Sequence, residues 1–99
     1  MASIIEREAK GDSDRGYISG ILWNRINKNM PLQVDAALKT YKTKGLPEQP
    51  ICNPGLEAIK AAIHPVLSNY LYYLHDKNGV IHYAKTFEEH KKNKLKYLK

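Results

Sequence analysis

Two carboxylates lie two residues apart near the start of the chain, in Ala2-Ser3-Ile4-Ile5-Glu6-Arg7-Glu8. A carboxylic acid on a short apolar helix suits general acid–base work if partial burial raises its pKa from about 4.3 toward ~6–7. The same residues also suit a purely structural role. Ser3-Ile4-Ile5-Glu6 has the form of a capping box, and Glu6 is spaced to pair with Lys10. Helical periodicity does not choose between the acids, because Glu8 projects between Ile4 and Ile5 and is as well placed for partial burial.

Other chemistries find little support. His64, His75, His82 and His90 show neither HxxxH nor HExxH spacing, so no metal site is expected. There is no glycine-rich phosphate loop and no Gly-x-Ser-x-Gly elbow, so no cofactor is expected. The single cysteine, Cys52, excludes an internal disulfide and has no basic neighbours to activate it.

The elements that must hold these groups follow from periodicity and turn chemistry. The chain has 99 residues, which suits one domain with a modest core. Residues 2–10 are expected to form a short helix. Gly11-Asp12-Ser13-Asp14 breaks it, and Asp12 or Ser13 is placed to cap a second helix over 14–29. Ile18, Ile21, Leu22 and Ile26 give that helix an apolar stripe widened by Tyr17 and Trp23, while Gly16 and Gly20 imply close packing. Residues 30–50 are mostly loop, with a helical turn at 35–38. Asn53-Pro54 is suited to start a third helix, with Leu56, Ile59 and Ile63 on its inner face and an end before Pro65. Residues 70–75 and 80–84 are expected to pair as a β-hairpin across Asp76-Lys77-Asn78-Gly79. Thr86-Phe87-Glu88-Glu89 opens a final helix, with Phe87, Leu95 and Leu98 facing inward. The sum is a compact α+β domain of helices with one β-hairpin.

The net charge is +6, and residues 85–99 carry most of it, with six lysines against two glutamates. A lysine-rich helix is usually a solvated face, although it also attracts polyanions. No apolar run approaches the ~18 residues of a membrane helix, and no basic leader precedes an apolar core. The expectation is a chain that carries no signal or membrane segment.

Read in order, several segments match one pattern. Ala2-Ser3-Ile4-Ile5-Glu6-Arg7-Glu8, Trp23-Asn24-Arg25-Ile26, Met30-Pro31-Leu32-Gln33-Val34-Asp35, Thr40-Tyr41, Gly45-Leu46-Pro47, Pro50-Ile51-Cys52-Asn53-Pro54-Gly55, Tyr70-Leu71-Tyr72-Tyr73 and His82-Tyr83 follow one another at near-constant spacing. Together they resemble the catalytic domain of the MltG, or YceG-like, endolytic murein transglycosylases. The resemblance implies a lysozyme-like fold over residues 1–99. It also implies a family anchored in the cell membrane, with a membrane helix and a LysM-like subdomain that these 99 residues do not include.

The resemblance further implies the reaction. One glutamate, which the motif assigns to Glu6, protonates the glycosidic oxygen and then accepts a proton from the muramic acid C6 hydroxyl. The nucleophile is intramolecular, so the second carboxylate of an ordinary glycosidase is not needed. Arg25, Gln33, Asp35, Thr40, Tyr41, Asn53, Tyr72 and His82 fall on motif positions and are assigned to substrate binding. Gln33 and Asp35 offer donors and acceptors for sugar hydroxyls and amides, and tyrosine faces stack on sugar rings. The chain departs from the family at Leu38-Lys39, at Glu48-Gln49 and in a shortened stretch between Asp35 and Thr40. The implied partners are peptidoglycan glycan strands and peptidoglycan synthases, with no nucleic acid. Two other functions compete with catalysis: a weakly active peptidoglycan-binding domain of the same fold, and a small basic nucleic-acid-binding module supported by charge alone.

Overall fold

The computed structural model describes residues 1–9, 14–34 and 37–98. Four helices and a two-stranded sheet follow in the order α1 (Ala2–Glu8), α2 (Arg15–Asn27), a 3-10 turn (Leu38–Tyr41), α3 (Leu56–Ile63), β1 (Tyr72–His75), β2 (Ile81–Ala84) and α4 (Phe87–Tyr97). The expected α+β class holds. Helices α1, α2 and α3 pack on one another, and α4 lies against the hairpin.

The core gathers Ile4 and Ile5 of α1, Ile18 and Leu22 of α2, Leu32, Val34 and Ala37 of the following loop, and Ala58 and Ala61 of α3. Each helix turns an i, i+1 or i, i+3, i+4 set of apolar side chains toward this point, as helical geometry requires. On α3 the inward side is the small one. Ala58 and Ala61 are buried, whereas Leu56 and Ile63 are 65% and 66% exposed and Ile59 is exposed as well. The inner face expected from Leu56, Ile59 and Ile63 is thus corrected. Alanines let α3 approach α1 closely, and the larger stripe is left outside. On α4, Phe87, Leu95 and Leu98 are likewise exposed, contrary to expectation. The side of α4 that meets the hairpin carries His90, Asn93 and Tyr97 instead, each half-buried.

Helix starts also differ in detail. The helix after residue 50 begins beyond Asn53-Pro54, with Gly55 as its N-cap and no side-chain cap. Ser3 is inside α1 rather than capping it, because Met1 is the N-cap. The expected caps Asp12 and Ser13, and the partner Lys10, lie outside the described residues. The hairpin pairs Tyr72 with Ala84 and Leu74 with His82 in antiparallel register. Its turn needs a positive φ at Gly79 alone (83°). Asp76 fixes it by accepting the N–H groups of Asn78 (2.8 Å) and Val80 (3.0 Å). Thr86 caps α4 by accepting the Glu89 N–H, and the Glu89 carboxylate reaches back to the Lys85 N–H.

One face of α2 clamps the segment leading into the hairpin. A Cβ on Gly20 would stand 2.0 Å from the Val66 carbonyl oxygen, and one on Gly16 would stand 2.7 Å from Val66 Cγ2. The close approach read from these glycines is present. Beside them, Trp23 Nε1 donates to the Ala62 carbonyl (3.1 Å), and Asn24 Nδ2 donates to those of Ser68 (2.8 Å) and Tyr70 (3.0 Å). Gly20→Ala is therefore expected to destabilise the fold by about 1–3 kcal/mol, visible as a lowered Tm in thermal unfolding. Leu67→Ser, at a site 89% exposed, should stay within about 0.5 kcal/mol of wild type. Equal Tm values for the two variants would contradict the close approach.

Candidate functional site

A cavity of about 470 Å³ opens between α1, the 32–34 loop, β1 and α4. Its wall carries Arg7 and Glu8 from α1, Arg25 from α2, Gln33 and Tyr41 from the loop, Tyr72, Tyr73 and His75 from β1, and Phe87, His90 and Lys94 from α4.

The wall is organised around Arg25, which is 92% buried by its 8% exposure. Its Nε donates to the Pro31 carbonyl (3.0 Å), one terminal nitrogen to the Leu71 carbonyl (3.1 Å) and the other to Gln33 Oε1 (3.2 Å). The guanidinium also lies over the Tyr72 ring, 5.0 Å from its centroid. A buried cation needs such a set of acceptors, since desolvation otherwise costs several kcal/mol. Burial still pulls the guanidinium below its usual range. The grip holds Gln33 with a positive φ of 54°, uncommon for a residue that is neither glycine nor asparagine.

Thr40 holds the same loop from behind. It is 1% exposed, accepts the Val34 N–H (2.9 Å) and donates to the Ala37 carbonyl (2.6 Å). It does not reach the cavity wall. Its hydroxyl braces the loop from inside.

The two carboxylates of α1 have separate environments. Glu6 is not on the cavity wall. It points toward α3, and its Oε1 accepts the Gly55 N–H. Ser3, one turn earlier on the same side, accepts the Ile51 N–H (3.1 Å), and its carbonyl receives the Cys52 thiol (3.3 Å). Ser3 and Glu6 therefore dock the 51–55 segment onto α1. Glu8 lines the cavity, and Tyr73 donates its hydroxyl to Glu8 Oε1. Glu8 is the acidic side chain on the wall among the described residues.

Of the residues the sequence assigned to the site, Arg25, Gln33, Tyr41 and Tyr72 meet at the cavity. Asn53 is exposed on the 51–55 segment and is not on the wall. His82 is also elsewhere: its Nε2 pairs with Asp76 Oδ2 (2.9 Å) and its ring stacks on Tyr97 at 3.5 Å. That hydrogen bond holds the Asp76 carboxyl below its usual value. Asp35 lies outside the described residues. Sequence reasoning passed over Tyr73, His75 and His90 as wall residues. The Tyr-Leu-Tyr-Tyr run marked the strand but not which of its faces meets α1.

His90 closes the far side. Its ring stacks on Tyr72 at 5.0 Å. Burial, then the charges of Lys94 and Arg25, lower its pKa. No cluster of three metal-ligating side chains occurs among the described residues.

With this geometry in view, comparison with known proteins defines the class. The model of the YceG-like family matches residues 1–39 and 38–96. Its two parts meet where the sequence is expected to be shortened. The chain belongs to the YceG-like family. It is 38% identical to the endolytic murein transglycosylase of Bacillus subtilis over 99% of its own length, and 29% identical to that of Streptococcus pneumoniae. It spans about a third of the Bacillus protein and 23% of the pneumococcal one. The crystal structure of a yceG-like protein from Listeria monocytogenes superposes with a TM-score of 0.89 at 37% identity, covering 93% of this chain and 38% of that one. No helix among the described residues is long and apolar enough to cross a membrane.

Two outcomes test this account of the wall. Arg25→Met removes three part-buried hydrogen bonds made by a buried side chain and is expected to cost about 2–4 kcal/mol in urea unfolding. A cost below about 0.5 kcal/mol would contradict the clamp. His90 has a depressed folded-state pKa, so the unfolded chain binds its proton more readily. Its contribution to stability is then present above pH ~6.5 and lost as pH falls through the folded-state value. The stability difference between wild type and His90→Gln should move against wild type between pH 7.5 and 5. A difference independent of pH would contradict the lowered value.

Proposed function

We propose that the chain is the glycan-cleaving unit of an endolytic murein transglycosylase, and that Glu8 rather than Glu6 is its acid. The observation that carries the choice is the separation of the two carboxylates. Glu8 faces a cavity large enough for sugar rings, while Glu6 is spent on the Gly55 N–H. The family and the printed names of its relatives support the substrate class, a murein glycan strand. The lysozyme-like fold expected from the sequence belongs to this same reading.

The chemistry needs one carboxyl group. In its acid form Glu8 gives its proton to the oxygen bridging C1 of N-acetylmuramic acid and C4 of N-acetylglucosamine. The C1–O bond breaks, and the N-acetylglucosamine side leaves as an alcohol. The C6 hydroxyl oxygen of the same muramic acid forms a new bond to C1, and its proton passes to the Glu8 carboxylate. The product carries a 1,6-anhydro ring, and Glu8 returns to its acid form. The Tyr73 hydroxyl occupies one Glu8 oxygen and so orients the other toward the cavity. Tyr41 brings an aromatic ring to the wall, Tyr72 being packed between Arg25 and His90 as part of its frame, and Gln33, fixed by Arg25, keeps its amide nitrogen for a sugar hydroxyl or N-acetyl oxygen. The mechanism makes peptidoglycan the partner, and synthases that extend glycan strands are natural neighbours for an enzyme that ends them.

Digestion of purified peptidoglycan with mass analysis of the products is the test. Wild type should release 1,6-anhydro ends. Glu8→Gln should lower their rate of release by roughly 10²–10⁴-fold, the usual worth of a positioned acid. Glu6→Gln should keep its rate when folded, with a lower Tm. Loss of product in Glu6→Gln with product retained in Glu8→Gln would reverse the assignment. Binding to peptidoglycan with no soluble product from wild type would favour the weakly active binding domain.

A further inference from the structure

The cavity wall carries more positive charge than an uncharged sugar chain needs. Arg7, Arg25 and Lys94 line it, against Glu8 among the described residues. Arg25 is engaged by Pro31, Leu71 and Gln33. Arg7 and Lys94 are not: neither has an ion pair or side-chain hydrogen bond among the described residues. They come from opposite ends of the chain, one on α1 next to Glu8 and one on α4. On α4, Phe87, His90 and Lys94 follow at i, i+3 and i+7, so they share the face turned to the cavity. The field of this wall is felt by His90, whose pKa is lowered by burial and then by the charges of Lys94 and Arg25.

Unpaired cations on two walls of one concavity are a binding arrangement for an anion. In a glycan of N-acetylated sugars the rings and their acetamido groups are neutral. The negative charge is the carboxylate of the lactyl ether on muramic acid, or the carboxylates of a peptide joined through it. We propose that Arg7 and Lys94 form a carboxylate-binding subsite beside Glu8, which selects strands whose muramic acid residues carry negative charge. This rests on the glycan-cleaving reading above and adds to it what the site recognises beside the scissile bond. Arginine supplies a planar fork for the carboxylate and lysine a point charge on a flexible stem, so one anion is held from two directions.

Three soluble strand preparations separate the sources of charge. The first keeps its peptides. The second has the peptides removed, leaving the lactyl carboxylate free. The third is the second with its carboxylates converted to neutral methylamides. For wild type, kcat/KM on one or both charged strands should exceed that on the neutral strand by about tenfold, roughly the worth of one charge-assisted contact. The gap should narrow at high salt, collapse toward unity in Lys94→Gln and in Arg7→Gln, and reopen in Lys94→Arg. Preference for the second preparation over the first identifies the lactyl carboxylate, and the reverse identifies the peptide.

Binding of the same strands to Glu8→Gln, followed by fluorescence anisotropy, should give the same order without turnover. Equal kcat/KM and equal binding on charged and neutral strands would overturn the subsite. So would a gap that survives in both neutralised variants. Absence of cleavage by wild type, with carboxylate-dependent binding intact, would overturn the reaction and leave the subsite standing.

Discussion

One buried guanidinium ties its own helix to the loop just after it and to the start of the hairpin, 46 positions further on. Arg25 of α2 bonds to Pro31 and Gln33 on one side and to Leu71 on the other, then lies over Tyr72. All its hydrogen-bond acceptors are neutral oxygens. The charge is stabilised by geometry rather than by a carboxylate, so the only acid left on the described wall is Glu8. This tie sets the 31–33 loop and the start of the hairpin against one another across the cavity.

Helix α1 completes the arrangement because its faces do different work. Ile4 and Ile5 anchor it in the core. Ser3 and Glu6 bind the 51–55 segment, which leads into α3. Glu8, two residues further round the helix, is left to the cavity and to Tyr73. A helix of 7 residues has little stability of its own. Its orientation comes from these contacts, and the position of Glu8 is their consequence. A docking contact thus fixes a chemical one.

Much of the architecture was legible in the sequence because it is encoded locally. The hairpin turn at Asp76–Gly79, the Thr86 cap and the stop before Pro65 depend on residues within a few positions of one another. The closeness implied by Gly16 and Gly20 was legible too, though not its partner, Val66. What was not legible depends on residues far apart. The contact between Glu6 and Gly55 spans 49 positions, so the local motif Ser3-Ile4-Ile5-Glu6 pointed first to a helix cap and gave no sign of this partner. Thr40 and His82 carry polar groups that would suit a sugar, yet both are consumed by partners inside the protein. For α3, hydrophobic periodicity marked the larger stripe, but packing between helices favoured Ala58 and Ala61. Side-chain size rather than hydrophobicity decided which side turned inward.

The central claim is that the carboxyl group open to a glycan belongs to Glu8. Carbon-13 NMR of the glutamate side chains, with a soluble tetrasaccharide of alternating N-acetylglucosamine and N-acetylmuramic acid added, addresses it most directly. The Glu8 carboxyl resonance should shift as the saccharide fills the cavity, while that of Glu6, held against Gly55, stays in place. A shift at Glu6 with Glu8 unmoved would contradict the account.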